Sequence, residues 1–142
     1  MKRIRVIANA EELAALCGEP NGLGFTVVGL LQPGVAYLPR VVRRLQPQLV
    51  LLDATKEGWL ALAAALREAL PKLPVVVIGP DDPGTVKAAY GAGIHSYLPM
   101  NTAPRLLTQA LGLICETGFT FWTRSLREVL EELGVPAGGR DG

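Results

Sequence analysis

The sequence predicts an α/β fold, a doubly wound five-stranded parallel sheet with helices on both faces and one extra helix near the C-terminal end. Three observations carry this. Short aliphatic or β-branched runs alternate five times with helix-patterned segments. Leu49-Val50-Leu51-Leu52 and Val75-Val76-Val77-Ile78 are apolar throughout, as strands covered on both faces require. The segments between the runs are long enough for right-handed crossovers.

Ile4-Arg5-Val6-Ile7-Ala8 is the first strand, and Asn9 with Glu12 three residues on reads as an N-cap and its capping-box partner for a helix over residues 10–17. Gly18 stops that helix, and turn chemistry up to Gly24 leads to a second strand over residues 25–31. The second helix covers residues 38–45 with Pro39 in its first turn; Pro47 ends it, and residues 49–53 make the third strand. Trp59, Leu62, Leu66 and Leu70 recur at helical spacing, so the third helix spans residues 59–70 and closes at Pro71. The fourth strand is the β-branched run at residues 75–78. The loop from Gly79 to Gly84 opens a short fourth helix that ends near Gly91-Ala92-Gly93, and residues 94–98 form the fifth strand. Thr102 is expected to cap a long fifth helix reaching about Glu116. Ser125 and Glu128 make another capping box ahead of a helix with Leu126, Val129, Leu130 and Leu133 on one face. Packing on the chain's own sheet layer or contact with a partner must cover that stripe. The expected division is a domain over residues 1–117, a linker-like helix over 118–134 and a flexible tail over 135–142.

With 142 residues, 49% hydrophobic and 19% charged, the chain can bury a core, which excludes disorder and coiled coil. The longest uninterrupted apolar run, residues 59–66, falls short of the roughly 20 residues of a membrane helix. The basic start is followed by Asn9, Glu11 and Glu12, which is wrong for a secretory signal, so the expectation is a soluble cytoplasmic protein. A net charge of +1 supplies no field to gather nucleic acid or anionic lipid, and neither is expected as a direct partner. Cys17 and Cys115 have no CxxC or Cys/His neighbour and read as reduced, buried thiols. Arg40, Arg43 and Arg44 read as a solvated surface.

In an open α/β sheet, ligands bind beyond the carboxyl ends of the strands. Those ends hold Asn9, Ala10 and Glu11 after the first strand, Asp53 after the third, Gly79 after the fourth, and Pro99 with Met100 after the fifth. No glycine fingerprint follows the first strand, the glycines near Gly22 lack a Gly-Lys-Ser/Thr ending, and His95 has no nucleophile partner in any motif. Enzymatic activity is therefore not expected, and His95 reads as a hydrogen-bonded structural residue.

Three stretches together resemble the receiver domain of bacterial response regulators: residues 46–53 (QPQLVLLD), residues 73–78 (LPVVVI) and residues 89–98 (AYGAGIHSYL). The likeness covers about residues 3–117 and implies a flavodoxin-like fold. Residues 119–133 look like the linker of LuxR-type regulators, with no DNA-binding domain expected after it. In that family an acidic pair after the first strand helps hold Mg²⁺; here the positions read Asn9 and Ala10, or Ala10 and Glu11 one register later. Asp53 matches the phospho-accepting aspartate, Gly79 the hydroxyl residue after the fourth strand, Met100 the lysine after the fifth, and Tyr97 the aromatic whose rotamer reports phosphorylation.

Mg²⁺ takes six oxygens in near-octahedral array, and phosphoryl transfer depends on cations that neutralise the equatorial oxygens. A site with one secure carboxylate and no lysine meets neither need. Asp53 then has two readings, a strand-end acid that caps the following loop or a retained switch residue. Asn9 reads as a helix cap and Met100 as apolar filler that seals the pocket. The leading expectation is a degenerate, stand-alone receiver-like protein that signals by phosphorylation-independent protein contact. The expected surface, for a protein partner or a second copy, is the fourth helix, fifth strand and fifth helix, with Tyr90, Tyr97 and Arg105 on it. No cofactor is expected. The alternatives are a conventional phosphorelay receiver, with Mg²⁺ and phosphorylated Asp53, and a small-molecule sensor or enzyme on the same scaffold.

Overall fold

Alternation along each strand divides the core in two. Val6, Leu49, Leu51, Val76, Ile78 and Leu98 point to one face of the sheet, while Ile7, Val50, Leu52, Val75, Val77 and Tyr97 point to the other. The unbroken apolar runs therefore feed both layers at once, which a helix-covered parallel sheet demands. The computed structural model describes residues 4–18, 24–32 and 38–134, with the side chains of residues 16–18 excepted. The turn expected around Gly22, the tail from residue 135 and the Cys17 thiol fall outside the described residues.

The strands β1 (Ile4–Ala8), β2 (Phe25–Leu30), β3 (Leu49–Asp53), β4 (Val75–Gly79) and β5 (Ser96–Pro99) form one sheet in the order β2-β1-β3-β4-β5. Every pairing is parallel. Helices α1 (Glu11–Gly18) and α5 (Pro104–Thr117) cover one face; α2 (Leu38–Leu45), α3 (Trp59–Ala69), α4 (Pro83–Gly91) and α6 (Leu126–Glu132) lie on the other. The predicted doubly wound fold is observed, and no helix among the described residues is long and apolar enough to cross a membrane.

Strand order reverses between β1 and β3, so the crevice sits at their carboxyl ends, beside Asn9 and Asp53. β5 starts at Ser96 rather than residue 94, because Ile94 turns into the core before the ladder begins.

The C-terminal segment settles the question of the apolar stripe. Tyr97 N–H donates to the Phe121 carbonyl at 2.8 Å and Phe121 N–H donates to Ser96 Oγ at 3.0 Å, so the segment around Phe121 covers part of the free edge of β5. α6 then packs on α4, with Val129 fully buried and Trp122 and Leu126 against the same core. Leu133, expected on that face, is 46% exposed.

Three expected caps are corrected. Asn9 does not cap α1, whose first carbonyl acceptor is Ala10. Thr102 Oγ1 donates to the Pro99 carbonyl at 2.6 Å, and Ala103 precedes α5 without a side-chain cap. Ser125 makes no capping bond of its own; its amide donates to Asp81 Oδ1 at 3.1 Å, so the α6 cap comes from the loop before α4. Asn9 and the amide of Ser125 find partners that the fold brings from far along the chain, whereas Thr102 bonds back into the turn after β5.

Candidate functional site

Asn9 leaves β1 at the crevice and bonds across it. Its Oδ1 accepts the Asp53 amide at 2.6 Å and its Nδ2 donates to the Asp53 carbonyl at 3.3 Å. The amide thus fastens the end of β1 to the end of β3. Asp53, 5% exposed, turns its carboxylate back on its own loop: Oδ1 accepts Thr55 N–H at 2.8 Å and Thr55 Oγ1–H at 2.6 Å. This is an Asx-type closure of the turn into α3.

The cavity beside Asp53, about 340 Å³, is lined among others by Glu12, Leu13, Lys56, Met100 and Leu107. Lys56 supplies a cation that the sequence reading missed. It sits three residues after Asp53 in a turn, and its Nζ lies 3.5 Å from Glu12 across the crevice. The Glu12 carboxyl is held below its ordinary range, first by its own amide at the start of α1 and then by Lys56. Glu11 is exposed and Ala10 is buried. Met100, expected to seal the pocket, is corrected: it is 46% exposed on the cavity rim, with its amide bonded to the Gly79 carbonyl at 3.0 Å.

The residues present do not fit Mg²⁺. Asn9 spends both polar atoms on the Asp53 backbone, position 10 is alanine, Glu12 is paired with Lys56, and Asp53 Oδ1 is occupied by Thr55. No group of three or more metal-ligating side chains gathers among the described residues.

Gly79 ends β4 facing the ring of Tyr97. A Cβ built on Gly79 would lie 2.6 Å from Tyr97 Oη and 2.7 Å from Ala54 Cβ, nearer than carbon atoms approach. Glycine is required because the tyrosine occupies the space. Tyr97 is fully buried, its hydroxyl donates to the Pro80 carbonyl at 2.6 Å, and its ring stacks on Trp122 with centroids 6.2 Å apart at 14°. Burial, and then the charges of Asp82 and Asp81, push its phenol pKa far up. The expectation that Tyr97 lies on a contact surface is corrected, since the chain's own Trp122 covers it.

Tyr90 meets the edge of Trp122 at 5.7 Å and is 37% exposed. The fourth-helix part of the expected partner surface is thus occupied by α6, joined further by Lys87 and Glu132 at 3.3 Å. Arg105 stands exposed at the start of α5.

His95 has the structural role read from sequence. Its Nδ1 lies 2.9 Å from Ser96 Oγ, and burial lowers its pKa against a weaker upward pull from the Gly118 carbonyl. Burial, helped by Glu116, pushes the Cys115 thiol up to about 11. Asp81 is lowered, mainly by the Ser125 hydroxyl against a smaller cost of burial. The buried Thr123 hydroxyl adds a weaker pull, without a partner at hydrogen-bond distance.

Comparison with solved structures gives the same scaffold. The chain is similar to a LuxR-family two-component response regulator from Aurantimonas sp. SI85-9A1, with TM-score 0.73 and 18% identity over 94% of this chain and 99% of that one. It is similar to the isolated receiver domain of RcsB from Salmonella enterica serovar Typhimurium, with TM-score 0.71 and 18% identity over 91% and 99%. The receiver domain of the putative response regulator NarL from Mycobacterium tuberculosis matches with TM-score 0.67 and 20% identity over 82% and 99%. No family model and no curated protein matches the sequence. The chain therefore has the fold of response-regulator receiver domains.

Proposed function

We propose that this chain is a receiver-like signalling module that acts through protein contact without phosphorylation. The supporting observation is the Gly79–Tyr97 pair: the position that resembles the family's phosphate-contacting hydroxyl is a glycine, and its vacated space is filled by a buried, hydrogen-bonded tyrosine. A switch aromatic already bonded inward has little further to move. Asp53 serves as the closure of its own turn, and the acid and cation of the crevice, Glu12 and Lys56, satisfy each other. Signalling itself is argued by likeness of fold, which carries function only together with a site.

The test is incubation with acetyl phosphate and Mg²⁺ followed by mass spectrometry of the Asp53 peptide. The expected result is an unmodified peptide and no change in tryptophan fluorescence; stoichiometric modification overturns the proposal. One observation favours the conventional alternative. Lys56 places an ammonium in the Asp53 cavity, where it could stand in for the missing lysine. Modification that disappears in Lys56→Met would establish that second reading.

A further inference from the structure

The amino ends of β4 and β5 border a second cavity, of about 630 Å³, at the opposite end of the sheet from the Asp53 crevice. The end of α3, the end of α4 and the segment after α5 wall it in. Its charge is of one sign. Arg67 and Lys72 line it, no carboxylate does, and neither cation has an ion pair among the described residues. Arg67 is nevertheless held in place. Its Nε donates to the Gly93 carbonyl at 3.0 Å and its Nη1 to the Pro71 carbonyl at 3.4 Å, which leaves the other guanidinium N–H groups for an outside acceptor. Gly93 makes room for this, since a Cβ there would stand 3.2 Å from Arg67 Nε. A positioned guanidinium without a counter-charge is a preorganised anion receptor.

Trp122 and Tyr90 line the same cavity. Trp122 is fixed by its stack on Tyr97 and by the edge contact with Tyr90, so its place does not depend on a ligand. Rigid aromatic rings receive other planar rings by offset or edge contact, and Leu73 and Pro74 add apolar surface. We propose that this cavity binds a small planar aromatic carboxylate, its anion on Arg67 and Lys72 and its ring against Trp122 and Tyr90. The volume lies within the range of about 300–1,000 Å³ usual for small-molecule sites. A purely apolar ligand would leave both cations without a counter-charge, and an inorganic anion would leave the aromatic wall uncovered. The site needs neither Asp53 nor a protein partner, so failure of the contact-module reading in the acetyl phosphate assay leaves it standing.

Equilibrium dialysis of the full chain against 2-naphthoate tests it. A dissociation constant between about 10 µM and 1 mM is expected for a ligand of this size. 2-Naphthalenemethanol, which keeps the ring and loses the charge, should bind at least about tenfold more weakly. Decahydro-2-naphthoate, which keeps the charge and loses the flat ring, should bind about fivefold more weakly. Arg67→Met should weaken 2-naphthoate binding at least about tenfold. Lys72→Met, at an exposed position whose ammonium pairs with nothing in the fold, should leave the thermal midpoint unchanged and weaken binding about threefold. No binding at millimolar 2-naphthoate overturns the proposal. Binding that both variants leave unchanged overturns the assigned site, and equal binding of the alcohol overturns the role of the cations. Displacement by inorganic phosphate at equal concentration would show a bare anion site and overturn the aromatic half of the proposal.

Discussion

Gly79→Ala is the substitution in which the proposed lock meets a number. The new methyl would stand 2.6 Å from Tyr97 Oη and 2.7 Å from Ala54 Cβ. Ala54 has no flexible end to move, and Tyr97 is held under Trp122 by a stack with 14° between ring planes. Overpacking of this kind costs about 1–3 kcal/mol. Losing the 2.6 Å bond from Tyr97 to the Pro80 carbonyl adds about 1 kcal/mol. The sum, about 2–4 kcal/mol, corresponds to a fall of roughly 10 °C in thermal midpoint for a chain of this length. Urea denaturation followed by tryptophan fluorescence in a Trp59→Phe background reads the free energy at the ring stacked on Tyr97. The double-mutant cycle supplies the sharper test. Tyr97→Phe removes the nearest clash but keeps the ring, leaving Cζ 3.3 Å from the new methyl and the Ala54 contact unchanged. Gly79→Ala should therefore cost about 1 kcal/mol less in the Tyr97→Phe background, a coupling in the range seen for touching residues. A cost below about 0.5 kcal/mol, or additive behaviour in the cycle, would refute the claim that Gly79 exists to accommodate Tyr97.

Other perturbations address the remaining supports. Asn9→Ala leaves the Asp53 amide and carbonyl without their partner at the end of β3 and should cost about 1–3 kcal/mol in urea denaturation. Asp81→Ala removes the cap of α6 and should cost about 1 kcal/mol or less, since the carboxylate is exposed and screened by solvent. Because the Asp81 pKa is depressed in the folded chain, the cap's contribution is complete above about pH 4 and is lost as pH falls through the folded pKa. An acid titration of tryptophan fluorescence in a Trp59→Phe background should thus show the parent converging on Asp81→Ala at low pH. Val129→Ala empties a fully buried position under α6 and should cost about 2 kcal/mol, read by the same denaturation. Cys115, raised to about 11, should react with a thiol reagent at pH 8 far more slowly in native Cys17→Ser protein than in urea.

The sheet was legible because alternation of apolar runs and helices implies a parallel sheet covered on both faces, and five such runs are unmistakable here, while the order β2-β1-β3-β4-β5 is not written in that alternation. Residues 49–52 are buried without exception, as their composition required, and Asp53 is buried with them. Caps were legible only as candidates. Asn9, Thr102 and Ser125 each have the side chain a local cap needs, yet Asn9 finds Asp53 forty-four residues away, and the α6 cap comes from Asp81, forty-four residues before Ser125. A short polar side chain bonds whichever group the fold brings nearest, and spacing in sequence does not report that. Lys56 escaped notice because a lysine in a turn has an ordinary explanation; only the crevice places it opposite Glu12. Met100 was legible as a non-cation, while its exposure depended on the path of the chain after β5.

Gly79 shows best how reading a residue as a loss can mislead. From sequence it is an absent hydroxyl, one of several functional groups missing from the crevice. In the fold it is a positive requirement, because a threonine or serine there would bring its Cβ onto Tyr97 Oη. A side chain at position 79 and the tyrosine in its present position are mutually exclusive, so the glycine leaves the space that holds the aromatic inward. The Pro80 carbonyl that accepts from Tyr97 lies one residue on, and the Asp81 carboxylate that caps α6 lies one residue further. Three successive positions after β4 thus fix the aromatic, its acceptor and the helix behind Trp122, whose ring closes over the tyrosine. Introducing a hydroxyl side chain at 79 would then disturb the packing of the C-terminal helix, which is why the folding free energy of Gly79 variants tests this reading directly.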